Sequence, residues 1–164
     1  MSEFVVDGLD KYLAWLQSLE AKEVDALKSR ILRSGGLRVL EYLHDLTPVR
    51  SGRLAGSFVM GSPDNFFQLK LGRTTSYVRV GTQVEYAKWV NDGFQQHAGQ
   101  FVPGTWASGQ FHYQPDAYPQ GMVLTGKHVP GAHMFEKAMD YMEDDMSTII
   151  GFELRLLWNK LAGG

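Results

Sequence analysis

Val24, Leu27, Ile31, Val39, Leu43 and Leu46 keep a 3.6-residue apolar phase straight through two consecutive glycines, Gly35 and Gly36, until Pro48 ends it. Apolar residues at this spacing occupy one face of a helix, so the segment predicts one long amphipathic helix whose stripe must be buried against a second layer. A glycine inside a helix costs about 1 kcal/mol relative to alanine. Gly35 lies on the stripe, which points to close packing of another backbone there, or to a kink. Pro48 is the stop, because the residue before a proline avoids the helical region.

Upstream, Phe4 to Val6 reads as a short strand, and Asp7 is placed to cap a helix carrying Leu9, Tyr12, Leu13, Leu16 and Leu19 on one face, ahead of a charged break at Glu20 to Glu23. Downstream the period changes to two. Phe67, Leu69 and Leu71 alternate with Gln68 and Lys70, and Val78, Val80 and Thr82 alternate with Tyr77 and Arg79. These predict paired antiparallel strands. Ser57 to Met60 reads as a third strand, with Gly61 to Asn65 as the turn after it, and Tyr86 to Val90 as a short helical turn.

Residues 94–126 hold five Gly, three Pro, one charge (Asp116) and six aromatics: Phe94, Phe101, Trp106, Phe111, Tyr113 and Tyr118. Flexible linkers are polar and poor in aromatics, so this composition predicts a structured loop that buries itself against its own domain or against a neighbour. From Pro130 a last helix carries Phe135, Ala138, Met139, Met142, Met146, Ile149, Ile150 and Leu157 as its apolar stripe. Asp140, Glu143, Asp144 and Asp145 are expected on its wet side. Its methionines suit adaptable core packing or a plastic partner face.

Composition removes several functions. Charge is balanced along the chain, with 8 basic against 8 acidic residues in 1–56, 4 against 4 in 57–126 and 4 against 6 in 127–164. Phosphate binding needs clustered Lys and Arg, so sequence-specific nucleic-acid recognition is not expected. The absence of cysteine excludes disulfides, thiolate metal sites and a Cys nucleophile, and suits assembly in a reducing cytoplasm. The first residues lack the basic and apolar regions of a signal peptide, and no stretch approaches a membrane span. His97, His112, His128 and His133 cluster around the aromatic segment, but their spacing matches no ligand pattern, so no metal or cofactor is expected. Ser51, Ser57 and Ser62 lack a nucleophile elbow, and the glycine pairs lack a phosphate-cradle context. No catalytic residue is assigned. A metal-dependent enzyme using the histidines is the competing class.

Two segments carry a resemblance. Thr47-Pro48-Val49-Arg50-Ser51-Gly52-Arg53-Leu54 follows the long helix, and Val80-Gly81-Thr82-Gln83-Val84-Glu85-Tyr86-Ala87-Lys88-Trp89-Val90-Asn91-Asp92-Gly93 follows the second strand. With Gly131-Ala132-His133-Met134-Phe135 opening the last helix, their order resembles the phage family typified by the tenth gene product of bacteriophage HK97. Asn91-Asp92 stands where that family's pattern has an acidic residue before the glycine, and residues 94–126 exceed its usual connection. Val102-Pro103-Gly104-Thr105-Trp106 and Gly121-Met122-Val123-Leu124 are similar to members from contractile-tailed phages and phage-like bacteriocins.

The resemblance implies a structural virion protein. It would form a ring, of six copies, in the neck of a tailed phage or phage-like particle, joining head to tail or completing the tail; a tail-terminator ring is the alternative. Its implied partners are further copies of itself, a connector or head-closure protein, and the tail tube or sheath. The expected architecture is a single α+β domain over 1–164, a small antiparallel sheet packed by the long first helix and the terminal helix, with the aromatic loop inserted. A ring needs two different patches on each subunit. The candidates for them are Arg50 and Arg53, whose forks suit carboxylates on a neighbour, Tyr86 and Trp89, expected on one face with core packing favoured, and Phe101, Trp106, Phe111, Tyr113 and Tyr118 of the loop.

Overall fold

The computed structural model describes residues 21–49 and 52–162. Their fold is α+β. Helix α1 (Ala21–Leu46) leads through a short α2 (Arg53–Ser57) to a hairpin of β1 (Asn65–Lys70) and β2 (Tyr77–Thr82), then α3 (Ala87–Asp92). Five strands follow: β3 (Gly93–Gln95), β4 (Phe101–Ala107), β5 (Gln110–Tyr113), β6 (Gly121–Val123) and β7 (His128–Pro130). Helix α4 (Met134–Ala162) closes the sequence of elements. The strand expected at Phe4–Val6, the helix of Leu9 to Leu19, and Arg50 lie outside the described residues.

The long helix runs unbroken through Gly35 and Gly36, and its helical residues include Ala21 to Glu23 of the expected charged break. Its stripe is buried as the phase predicts, half-buried at Val24, Leu27 and Ile31 and fully at Val39 and Leu43. Both glycines mark close approach, of side chains and not of backbone. A Cβ on Gly36 would lie 2.8 Å from Val78 and 2.9 Å from Phe67, so the hairpin rests directly on the helix there. A Cβ on Gly35 would lie 3.0 Å from the Met142 methyl of α4. One pair of missing side chains thus admits two neighbouring layers.

The core joins Val39, Leu40 and Leu43 of α1, Leu54 of α2, Phe58, Val84, Ala87, and Met134, Ala138 and Met142 of α4. The hairpin register sets Phe67 opposite Val80 and Leu69 opposite Val78, which places the predicted alternating residues together on the helix side.

Ser57 to Met60 is not a strand. Gly52 takes a left-handed backbone (φ 76°), which glycine adopts without a Cβ penalty, and the chain enters a helical turn: the Gly56 amide donates to the Gly52 carbonyl at 2.8 Å and the Ser57 hydroxyl to the Leu54 carbonyl at 2.6 Å. Phe58 is then driven into the core, 1% exposed. Four residues were too few for a period-two reading to distinguish a strand from this turn.

The stripe expected on α4 also shifts. Met139, Met146 and Ile150 are exposed, whereas the inner face runs Met134, Ala138, Met142, Asp145, Ile149, Glu153 and Leu157. Two acids face inward because α1 presents them with cations. Arg30 Nε donates to Glu153 at 2.9 Å with the Ser34 hydroxyl at 3.3 Å, and Arg38 Nε donates to Asp145 at 2.9 Å beside the Tyr42 hydroxyl. A carboxylate as enclosed as Glu153, 6% exposed, requires such partners. Asp140, Glu143 and Asp144 do face solvent.

Candidate functional site

Residues 94–126, expected as a loop, form β-structure of their own. β3 pairs antiparallel with β7 at the base, and β4 stands centrally between β5 and β6. The sheet was hidden from alternation because its central strand, Phe101-Val102-Pro103-Gly104-Thr105-Trp106-Ala107, carries apolar residues on both faces and a proline. β4 and β5 are joined by two residues with positive φ, Ser108 (51°) and Gly109 (78°), the geometry that closes a two-residue hairpin.

Register sorts the aromatics. Trp106 lies opposite Phe111, their rings edge-to-face at 5.4 Å, and Tyr113 lies opposite Gly104 on the same face. The Phe111 ring covers Gly104, where a Cβ would come within 2.5 Å of it. On the other face Phe101 lies opposite Val123, covers Gly121 in the same manner, and meets Tyr118 edge-to-face at 5.8 Å. Strand glycines therefore serve as seats for aromatic rings, which is the signal that could have disclosed the sheet.

No core residue comes from the insertion. A three-stranded sheet is stabilised by packing an apolar face on another layer, yet here Trp106 is 63% exposed, Tyr113 64% and Tyr118 76%. The helix below adds Trp89, 61% exposed, while Tyr86, three residues earlier, packs on the core; the expectation that both are core fails at Trp89. Trp89, Phe94, His97, Gln100 and Leu124 line an open groove of about 430 Å³ beside the insertion's base. Sequence reasoning passed over Phe94, His97 and Leu124 as a group, since it is the pairing of β3 with β7 and of residues 96–100 with Leu124 and Lys127 that assembles them.

With aromatic side chains contributing about 150–250 Å² each, the exposed parts of Trp89, Phe94, Phe101, Trp106, Tyr113, Tyr118 and Val123 amount to roughly 800 Å² of apolar surface. A standard protein interface of about 1,600 Å², a little over half apolar, needs roughly that much.

Arg53 is engaged within its own chain. Its Nε and Nη2 donate to the two Asp64 oxygens at 3.2 and 3.4 Å, an exposed fork that raises the guanidinium pKa. The histidines are dispersed: His112 on β5, His128 on β7, His97 and His133 in turns, all exposed. Among the described residues no group of three or more His, Cys, Asp or Glu could hold a metal ion, and no helix is long and apolar enough to cross a membrane.

The insertion is tied to the body by Asn91, 5% exposed, at the end of α3. Its Oδ1 accepts the Phe135 amide at 3.0 Å, and its Nδ2 donates to Glu136 at 3.1 Å and Asp92 at 2.8 Å; its carbonyl accepts the His133 amide at 3.0 Å. A residue from a distant segment thus satisfies the Phe135 amide in the first turn of α4 and the His133 amide just before it. Gly93 follows with φ 77°, and a Cβ there would meet the Val129 carbonyl at 2.4 Å, so the backbone of β7 fixes glycine at the point where the insertion begins.

The family model described as "Bacteriophage HK97-gp10, putative tail-component" matches residues 10–93, ending where the insertion starts. The protein is similar to the uncharacterized protein YqbI of Bacillus subtilis, 30% identical over 135 residues that cover 79% of this chain and 72% of that one. It is also similar to protein XkdI of the phage-like element PBSX of the same organism, 32% identical over 111 residues that cover 66% and 67%. No solved structure matches. The ordered motifs, the helix–hairpin–helix body that holds them and these matches agree: the chain belongs to the HK97-gp10-like family of phage tail components.

Proposed function

We propose that this protein is a structural subunit of a ring in the neck of a tailed phage or phage-like particle, where it completes the tail or joins it to the head, and that it has no catalytic role. The observation that carries this reading is the insertion sheet. It stands outside the core, bears aromatics on both faces and carries a single formal charge in 33 residues, a surface that gains free energy only by being covered. In a ring each subunit offers one patch to the neighbour ahead and a different one to the neighbour behind, so six-fold closure would cover this surface without a second protein type. A connector or head-closure protein on one side and the tail tube or sheath on the other would then contact the ring's two rims.

Light scattering on the purified chain after size-exclusion chromatography, with negative-stain imaging of the large species, tests the reading. Uniform rings that are lost on Trp106→Ala/Tyr113→Ala, while the monomer keeps its thermal stability, are the expected result. Rings that survive the double change would remove the insertion sheet from the contact.

A further inference from the structure

We propose that the groove lined by Trp89, Phe94, His97, Gln100 and Leu124 receives the β4–β5 hairpin tip of a second copy of this chain, Trp106 and Tyr113 entering as the anchors. This names the second patch of the ring and rests on the ring reading above.

Three observations select this occupant. The first is geometric. The groove lies at the base of the insertion and the tip at the other end of β4, seven residues long, which at about 3.3 Å per residue puts them roughly 20 Å apart. The tip cannot reach the groove of its own chain, but the same separation suits a head-to-tail contact between copies. The second is charge. Neither the groove residues nor Trp106, Phe111 and Tyr113 bear a formal charge, so a charged partner segment would lose its hydration there with no opposite charge in return, whereas the tip loses almost none. The third is area. The exposed parts of Trp89, Phe94, Trp106 and Tyr113 come to roughly 500 Å², the apolar share of an interface of about 900 Å² at the small end of the range, and a groove of about 430 Å³ has the size of pockets that enclose an organic group such as an aromatic side chain. Large aromatics seated in desolvated pockets are the usual anchors of such contacts. The Arg53 turn is the weaker candidate for this patch, because its guanidinium already holds Asp64.

The chain has no cysteine, which allows a direct test by disulfide trapping. His97, on the groove, and Ser108, in the hairpin turn, are exposed, so His97→Cys and Ser108→Cys leave the core untouched. Their separation within one chain far exceeds the roughly 7 Å that a disulfide tolerates between Cα atoms, so any 97–108 bridge joins two copies. Oxidation of the double variant should give a covalent ladder whose digest contains the 97–108 linked peptide, and Leu124→Arg in the same background should abolish it. Mixing the two single variants should give the heterodimer in excess over both homodimers.

Rings of the unmodified chain without a 97–108 bridge would overturn the groove assignment and leave the ring reading standing. A 97–108 bridge in a species that never closes into rings would support the groove contact and remove the ring. Neither bridge nor rings would overturn the groove assignment as well.

Discussion

Replacing Asn91 with alanine tests whether the second motif acts as a tertiary cap on α4. The change deletes the acceptor of the Phe135 amide, 3.0 Å away, and both bonds from Nδ2, while Asn91 is 5% exposed and no water can readily substitute. Removing a capping side chain costs about 0.5–2 kcal/mol, and a buried amide left without a partner costs about 1–3 kcal/mol, two descriptions of largely the same loss. The Glu136 carboxylate adds little because it faces solvent. Together they give about 2 kcal/mol, which for a chain of this length lowers Tm by about 4–8 °C. In urea, with a slope of about 2 kcal/mol/M, the midpoint should fall by about 1 M at unchanged slope. Asn91→Asp keeps the acceptor and brings a negative charge to a helix N-terminus, offset by repulsion from Asp92 and Glu136, so it should lose less than half as much. Urea unfolding followed by far-UV circular dichroism measures both variants. A midpoint for Asn91→Ala within about 0.2 M of the parent would refute the cap, since a loss near 0.5 kcal/mol is ordinary for a surface change.

Other outcomes follow from the packing. Gly36→Ala should destabilise by about 1–2 kcal/mol in the same assay, since overpacking against Val78 and Phe67 outweighs the helix-propensity gain, while Gly35→Ala should be near neutral because the flexible Met142 end can move. The Tyr42 hydroxyl first, and then Arg38, hold the Asp145 carboxyl below its ordinary value of 3.8. A depressed carboxyl contributes stability that is present above the unfolded value and lost as pH falls through the folded one. Tyr42→Phe should therefore flatten the acid limb of a Tm-against-pH profile below about pH 4, and an unchanged limb would count against the pairing. Trp106→Ala/Tyr113→Ala should leave the monomer's urea midpoint within about 0.2 M of the parent, because neither residue touches the core, and a larger shift would mean the insertion stabilises its own body.

The sequence by itself determined the elements whose periodicity is long. The stripe from Val24 to Leu46 specified α1, and the alternation through Phe67 and Val80 specified the hairpin, because a face repeated over several turns or pairs can be buried in only one way. The two motifs were legible for the same reason that they are constrained: Pro48 ends a helix, and Gly52 and Gly93 stand where a positive φ is needed.

Tertiary structure decided what short or double-sided patterns left open. Ser57 to Met60 became a helical turn once Phe58 had a core to enter. Asp145, expected on the wet side, and Glu153 stand on the inner face of α4 because Arg38 and Arg30 stand opposite, a pairing across more than 100 residues that no local pattern encodes. The insertion was recognisable by its aromatics, but its strands, the separation of Trp89 from Tyr86, and the groove depend on which backbone amides find partners across the fold. Local periodicity reports which face of an element is apolar; only the assembled neighbours determine what that face meets.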